Sequence, residues 1–435
     1  MIAEVQLWGR TIGAVALDER REGAEFQYDP DFVRSGIEIS PLMMPLAKKV
    51  YSFPELAPGT FHDLPGLLAD SLPDKFGNAL INAWLATQGR TPESFNAVER
   101  LCYTGTRGMG ALEFAPVLGP KPRKAKKIEV DSLVHLASEV LQNRAELKGN
   151  FADAKREHAL NDILRVGTSA GGARAKAVIA WNRDTNEVRS GQITAGDGFE
   201  YWLLKFDGVA GNKDKELDDS KGFCAIEYAY SLMAKAAGIQ MSECRLLEEN
   251  GRRHFMTRRF DRQSGGKKLH MQSLGAMAHL DFNQAGAHAY EQALLIIHQL
   301  DLPMETVEEQ FRRMTFNIIA RNQDDHVKNI AFLMNKAGHW SLSPAFDMTY
   351  SHNPNGEWTA KHQMTMNGKR DGFTLSDFRA CEKSARMKRG RATAIIEEVR
   401  SAVLRWQDFA THAQVTDNWV PQIQNSFRLE IPNGS

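Results

Sequence analysis

The sequence predicts an α+β fold in two lobes: a β-rich N-lobe carrying a small N-terminal subdomain, and an all-helical C-lobe. Three observations lead there. Strand-like alternation crowds into the first 262 residues, which also hold an amphipathic helix at 223–237. Helical periodicity dominates from residue 285 onward. A polar stretch rich in Asp and Asn, Arg321-Asn-Gln-Asp-Asp-His-Val-Lys-Asn, follows the strongest helical pattern. The boundaries read 1–118 for the subdomain, 119–129 for a linker, 130–262 for the rest of the N-lobe and 263–435 for the C-lobe.

Each element has its own signal. Val5-Gln-Leu-Trp and Ile12-Gly-Ala-Val-Ala-Leu read as strands, and Leu64–Leu68 and Phe76–Leu85 as helical segments. Ala111-Leu-Glu-Phe closes the subdomain as a strand. Gly119-Pro-Lys-Pro-Arg-Lys-Ala-Lys-Lys reads as a solvated linker, because Pro breaks structure and the lysines repel one another. Helical periodicity resumes over Val130–Leu147. Strands are expected at Ile163–Val166, Ala177–Trp181, Tyr201–Phe206 and His254–Phe260, with a hairpin turn at Asn182-Arg-Asp-Thr-Asn. Phe223, Ile226, Tyr230 and Met233 share one face of the helix that Gly238 ends. Ala293–Leu300 and Met304–Ala320 are helices, the second with a buried stripe of Val307, Phe311, Met314 and Ile318. Ala392, Ile396, Val399, Val403 and Trp406 repeat that pattern near the end.

Composition excludes several classes of function. The 435 residues are 42% hydrophobic and 25% charged, which is ordinary for a globular protein. Fifty-four basic side chains balance 54 acidic ones, so binding nucleic acid by bulk charge is not expected. The four cysteines form no C-x-x-C pair, which argues against a zinc or redox site. The N-terminus lacks the basic and apolar blocks of a signal peptide, and no apolar run approaches the roughly 18 residues of a membrane span. The expected setting is the cytoplasm, with no membrane partner.

The chemistry concentrates after the helix ending near Ala320. A loop holds Asp324, Asp325, His326, Lys328 and Asn329; a hairpin then leads to Ser343-Pro-Ala-Phe-Asp347. The hairpin would return Asp347 to the loop, so that two carboxylates and an amide converge. Oxygen ligands suit Mg²⁺, and phosphoryl transfer needs a carboxylate to position the acceptor hydroxyl and further oxygens to hold the metal against the phosphates. The D-x-x-x-x-N spacing followed by a hairpin and another Asp matches the protein-kinase catalytic-loop pattern, although the leading His-Arg and the Gly of D-F-G are missing. Singly, each residue also suits a polar turn, where Asp and Asn cap backbone groups.

Three features keep this loop company. Val166-Gly-Thr-Ser-Ala-Gly-Gly-Ala-Arg-Ala-Lys is a Gly-rich turn whose backbone could approach phosphate. Lys205 ends an apolar strand, and Glu227 sits on the following helix, where it could orient the lysine. The order Gly loop, strand Lys, helix Glu, catalytic loop, metal Asp is that of a protein kinase using ATP and Mg²⁺.

In Leu67-Leu-Ala-Asp-Ser-Leu-Pro-Asp, Gly105-Thr-Arg-Gly-Met-Gly-Ala-Leu, Thr168-Ser-Ala-Gly-Gly-Ala-Arg-Ala-Lys, Leu204-Lys, Arg259-Phe-Asp-Arg, Asp324-Asp-His-Val-Lys-Asn and Phe346-Asp, the sequence resembles the HipA family of serine/threonine kinase toxins over nearly its whole length. The resemblance implies a protein-kinase-like fold. It implies that Asp324 is the catalytic base, that His326 shapes the loop, and that Asn329 and Asp347 bind Mg²⁺. Ser169, Ala170, Gly171, Gly172, Ala173 and Lys176 would cover the ATP phosphates, with Lys205 binding phosphate beside Glu227. Arg258, Arg259 and Phe260 would line adenine, largely through backbone groups, and Asp261 would lie near the ribose. Ser169, or else Thr168, would be autophosphorylated, silencing the enzyme; a phosphate adds about −1.5 to −2 charge where those of ATP should sit. The implied partners are a protein substrate, such as an aminoacyl-tRNA synthetase, and a HipB-like DNA-binding antitoxin through which DNA is met only indirectly. Tyr350–Trp358 and Asn367–Asp371 follow the metal Asp and are candidates for substrate contact. A non-catalytic corepressor and a small-molecule kinase are the competing readings.

Overall fold

A computed structural model describes residues 1–17, 23–119, 128–142, 174–192, 195–209 and 221–434. Among these residues, three antiparallel sheets order the chain. The first joins β1 (Ile2–Leu7), β2 (Arg10–Ala16), β3 (Glu25–Tyr28), β4 (Val50–Tyr51) and β5 (Leu112–Ala115) in the order β4-β3-β2-β1-β5. Trp8 and Gly9 both take positive φ between β1 and β2, the conformation a two-residue hairpin turn requires. The second joins β6 (Lys176–Asn182), β7 (Val188–Ser190), β8 (Phe199–Lys205), β9 (Cys244–Glu249) and β10 (Arg252–Arg258) in the order β7-β6-β8-β10-β9. The third is β11 (His270–Ser273), β12 (Ala331–Met334) and β13 (Trp340–Leu342).

This third sheet corrects the expectation of an all-helical C-lobe. The hairpin β12–β13 recruits β11, and Leu333 pairs with Met271 on one side and Ser341 on the other. Lone two-stranded hairpins are marginal in water, so the third strand stabilises the platform from which Asp347 emerges.

Packing also ties the units together across the expected boundaries. The helix Lys75–Thr87 belongs by sequence to the first unit, but its Phe76 and Leu80 pack with Ala177, Ile179 and Trp181 of β6. Leu133, Val134 and Ala137 of the helix Val130–Gln142 join the same core. The helix Phe223–Ala236 follows the second sheet in sequence, yet Ile226, Tyr230 and Met233 are buried with Phe311, Phe316 and Trp406 of the C-lobe. The expected stripe of Val307, Phe311, Met314 and Ile318 on the helix Met304–Ile319 is at most 1% exposed. The N-lobe sheet is therefore gripped by a helix from the subdomain and faces one anchored in the C-lobe. Among the described residues no helix is long and apolar enough to cross a membrane.

Candidate active site

The catalytic loop starts where the helix Met304–Ile319 stops. Ala320 caps the helix, and Arg321 turns the chain with a φ of +59°. Asn322 then bridges to Ser351, so the loop and the segment after Asp347 run side by side. Val327–Asn329 makes one tight turn before β12. Asn329 donates from Nδ2 to the Asp324 carbonyl (2.8 Å), which closes the loop on itself and leaves Oδ1 as the amide's remaining polar atom. The Asp324 carboxylate is about one-third exposed. Its Oδ1 accepts the Trp358 indole N–H at 2.8 Å and lies 3.9 Å from His326 Nε2.

Asp347 sits across the loop with a φ of +53°, a strained setting for a residue with a side chain. Its carbonyl is 3.5 Å from Asn322 Nδ2. Its carboxylate meets Lys205 Nζ, which also lies 2.5 Å from Glu227 Oε1. Lys205 ends β8 and is 5% exposed. Burial by itself would lower the lysine's pKa; the charges of Asp347 and Glu227 outweigh it and hold the pKa above its ordinary value. Arg174 takes the other Glu227 oxygen at 3.2 Å. Arg174, Glu227, Lys205 and Asp347 therefore form a chain of alternating charge from the end of the Gly-rich segment to the proposed metal carboxylate.

The structure thus brings Lys205 to Glu227 and Asp347, and Asn329 to Asp324. Ser169, Ala170, Gly171, Gly172 and Ala173, together with the alternative Thr168, lie outside the described residues, as does the strand expected at Ile163–Val166. Lys176 is 2% exposed, lies opposite Lys205 in the β6–β8 ladder, and its Nζ is 3.4 Å from Asp74 Oδ2 at the N-terminus of the helix Lys75–Thr87. That contact ties sheet to subdomain.

Asp261, expected near the ribose, is fully buried and accepts from Arg259 Nε (2.9 Å), Arg262 (2.7 Å) and the Gly110 backbone (2.7 Å), contacts that tie it to the subdomain. Burial alone would raise its pKa; the two guanidiniums outweigh that and hold the carboxyl well below the usual range. The backbone N–H groups of Arg258 and Arg259 are bonded to Glu243 and Tyr201 carbonyls, which leaves only their carbonyls for adenine. The Arg258 side chain is half exposed and lies near Glu200 and Glu243. Phe260 packs on Phe346, ring centroids 5.6 Å apart, next to Asp347.

Sequence reasoning missed what holds the loop from behind. Asp325 is buried and accepts from the Tyr290 hydroxyl (2.6 Å), the Gln363 backbone (2.7 Å) and His362 Nδ1 (2.7 Å). Arg428 lies 3.0 Å from the other His362 ring nitrogen, which fixes the tautomer: Nδ1 donates and Nε2 accepts. Asp325 lay inside the quoted motif, but no spacing rule announces partners 35 residues before it and 37 after it.

Comparison with known proteins agrees with this architecture. Residues 3–115 match the family model described as HipA N-terminal domain, and residues 168–406 the one described as HipA-like C-terminal domain. A solved Shewanella oneidensis structure, of a toxin–antitoxin system's HipA with HipB and operator DNA, superposes with a TM-score of 0.69 at 15% identity. It covers 97% of this chain and 95% of that one, a likeness of fold. A Haemophilus influenzae protein described as a putative kinase is 30% identical over 134 residues, 28% of this chain. The match spans only 39% of that relative's length.

Proposed function

The chain belongs to the HipA family, and on that premise we propose that it is an ATP-dependent protein kinase that phosphorylates serine or threonine, acting as the toxin of a toxin–antitoxin module. The observation that carries this is the buried Lys205, shared between Glu227 and Asp347. A cation held by two carboxylates can exchange one of them for phosphate when nucleotide enters.

In this reading Lys205 takes ATP phosphate oxygens and Glu227 keeps it aimed. Asp324 Oδ2, which has no partner among the described residues, faces the acceptor and takes its proton. The hydroxyl oxygen bonds to the γ-phosphorus as the bond to the bridging oxygen of ADP breaks. Asn329 Oδ1 and the Asp347 carboxylate are an all-oxygen pair, the small set Mg²⁺ takes from protein when phosphates supply the rest. Magnesium there would offset charge on the phosphate oxygens. Ser169, with Thr168 as the alternative, is the proposed site of inhibitory autophosphorylation. The Shewanella relative was solved with HipB and operator DNA; by analogy we assign this chain a HipB-like DNA-binding antitoxin, and separately we propose a translation factor as its target and the cytoplasm as its place.

The test uses γ-labelled ATP and Mg²⁺, with the chain alone and with cell lysate. Labelled protein bands that vanish in Asp324→Asn support the proposal. ATP binding with no transfer would instead favour a corepressor, and label confined to small molecules a metabolite kinase.

A further inference from the structure

Asp324 and Asp325 are neighbours in sequence, and one closed circuit of hydrogen bonds links their carboxylates through the segment after Asp347. Asp325 Oδ1 accepts the Gln363 backbone N–H at 2.7 Å. The Gln363 side-chain amide donates to the Trp358 carbonyl. The Trp358 indole N–H returns to Asp324 Oδ1 at 2.8 Å. Gln323, just before the pair, donates to the Ala360 carbonyl at 3.4 Å. The half-buried Trp358 is therefore held from both sides rather than resting on the surface.

We propose that Trp358 is a positioning residue for phosphoryl transfer: its indole N–H fixes the rotation of the Asp324 carboxylate so that Oδ2 alone faces the acceptor hydroxyl, and its ring forms a wall of the acceptor site. The inference rests on the reading of Asp324 as the base. A carboxylate on a flexible side chain presents either oxygen at many angles, and only a narrow range accepts a hydroxyl proton in line with transfer. A single donor on one oxygen selects that range. The donor comes from the segment where a protein substrate would lie, so the acceptor residue docks against the group that orients its base.

The circuit also explains the burial of Asp325. Its three donors fix Gln363 and His362, and Gln363 fixes Trp358. The buried aspartate thereby orients the exposed one through a path that leaves the loop and returns.

The test measures label transfer to the chain itself and to heat-treated lysate proteins, and binding of a fluorescent ATP analogue. Trp358→Phe should lower kcat for transfer about tenfold, the order expected for losing a hydrogen bond to a charged group, while the analogue's Kd stays within twofold. A second variant carries benzothienylalanine at 358, which keeps the size of the ring and lacks the N–H; it should fall with Trp358→Phe. Wild-type transfer in the benzothienyl variant overturns the proposal, because ring size alone would then suffice. Faster transfer in either variant also overturns it and makes Trp358 a block. Equal loss of nucleotide binding reduces Trp358 to a structural residue. Asp324→Asn is the separate control: if it retains transfer, the assignment of the base fails, whatever Trp358 does.

Discussion

The seam that joins the subdomain to the rest of the molecule and the cleft that holds the proposed chemistry use the same residue types to opposite ends. In the seam the carboxylates are held by several donors each. Asp261 has three donors, and Asp70 accepts both the backbone N–H (2.7 Å) and hydroxyl (2.9 Å) of Ser273. Trp8 donates to the Lys268 carbonyl at 2.8 Å and Trp340 to that of Glu38 at 3.1 Å. In the cleft the pairing is exchangeable. Lys205 divides itself between two carboxylates, and the Asp324 carboxylate has one donor. A saturated buried cluster has nothing to gain from a ligand and fixes geometry. A shared cation gains by trading a carboxylate for a phosphate. The contrast explains why Asp261, though fully buried among arginines, belongs to the architecture, whereas the partly exposed Asp347 is the better candidate for function.

The sharpest way to break this comparison is at Asp347. Asp347→Asn should lower Mg²⁺-dependent transfer by about 10³-fold or more, the several kcal/mol that a metal-held phosphate supplies. The melting temperature should hardly move, since Lys205 keeps Glu227. Full activity in Mg²⁺ would remove Asp347 from the site. The mirror experiment is Asp261→Asn. It leaves Arg259 and Arg262 buried without a countercharge, which should destabilise the chain by about 3–5 kcal/mol in chemical denaturation. Transfer per folded molecule should be unchanged. If Asp261→Asn instead weakened ATP binding with no loss of stability, the seam and the cleft would not be separable.

The effect at Glu227 should be smaller. Glu227→Gln keeps the size of the side chain and one hydrogen-bond acceptor for Lys205, but removes the charge shared with Arg174. The ATP-analogue Kd should rise about tenfold, the order of one charge-assisted hydrogen bond. An unchanged Kd would mean that Asp347 alone aims the lysine.

Much of this was legible in the sequence, for identifiable reasons. The helix Met304–Ile319 and the strands β6, β8 and β10 have strong periodicity. The order of Lys205, Glu227, Asp324, Asn329 and Asp347 survives in one dimension because each sits at the end of, or on, such an element. Edge strands were harder. Residues Cys244–Glu249 have only one fully buried position, yet Asn250-Gly251, both at positive φ, was a hairpin signal in plain view. His270–Ser273 was illegible: three of its residues are polar and buried, and its partner strand lies some 60 positions on. The subdomain contacts of Lys176 and Asp261 were not legible, because a charged residue beside a nucleotide motif looks alike whether it faces the ligand or the neighbouring subdomain. Only packing distinguishes the two.

The smallest expected effect tests whether the seam is as fixed as its held carboxylates imply, because one of its joints is neutral. His279 Nε2 accepts the Gly66 backbone N–H at 3.0 Å, and its ring packs edge-on against Phe53 and Phe61. Burial lowers the imidazole's pKa to about 4, only partly opposed by Glu55. An unfolded histidine titrates near 6.5, so between those values the unfolded chain binds the extra proton and the folded one does not. This contribution to stability is complete above about pH 6.5, declines as the pH falls toward about 4, and is flat below. Protonation also removes the lone pair that holds Gly66. Amide exchange at Gly66, corrected for intrinsic rate, should therefore lose protection as the pH falls from 7 to 4.5, while amides of the helix Met304–Ile319 do not. His279→Gln supplies an acceptor that does not titrate in this range and should flatten the response. If Gly66 protection falls equally in His279→Gln, the acid-sensitive joint lies elsewhere in the seam, and His270, also lowered to about 4 by burial, is the next position to test.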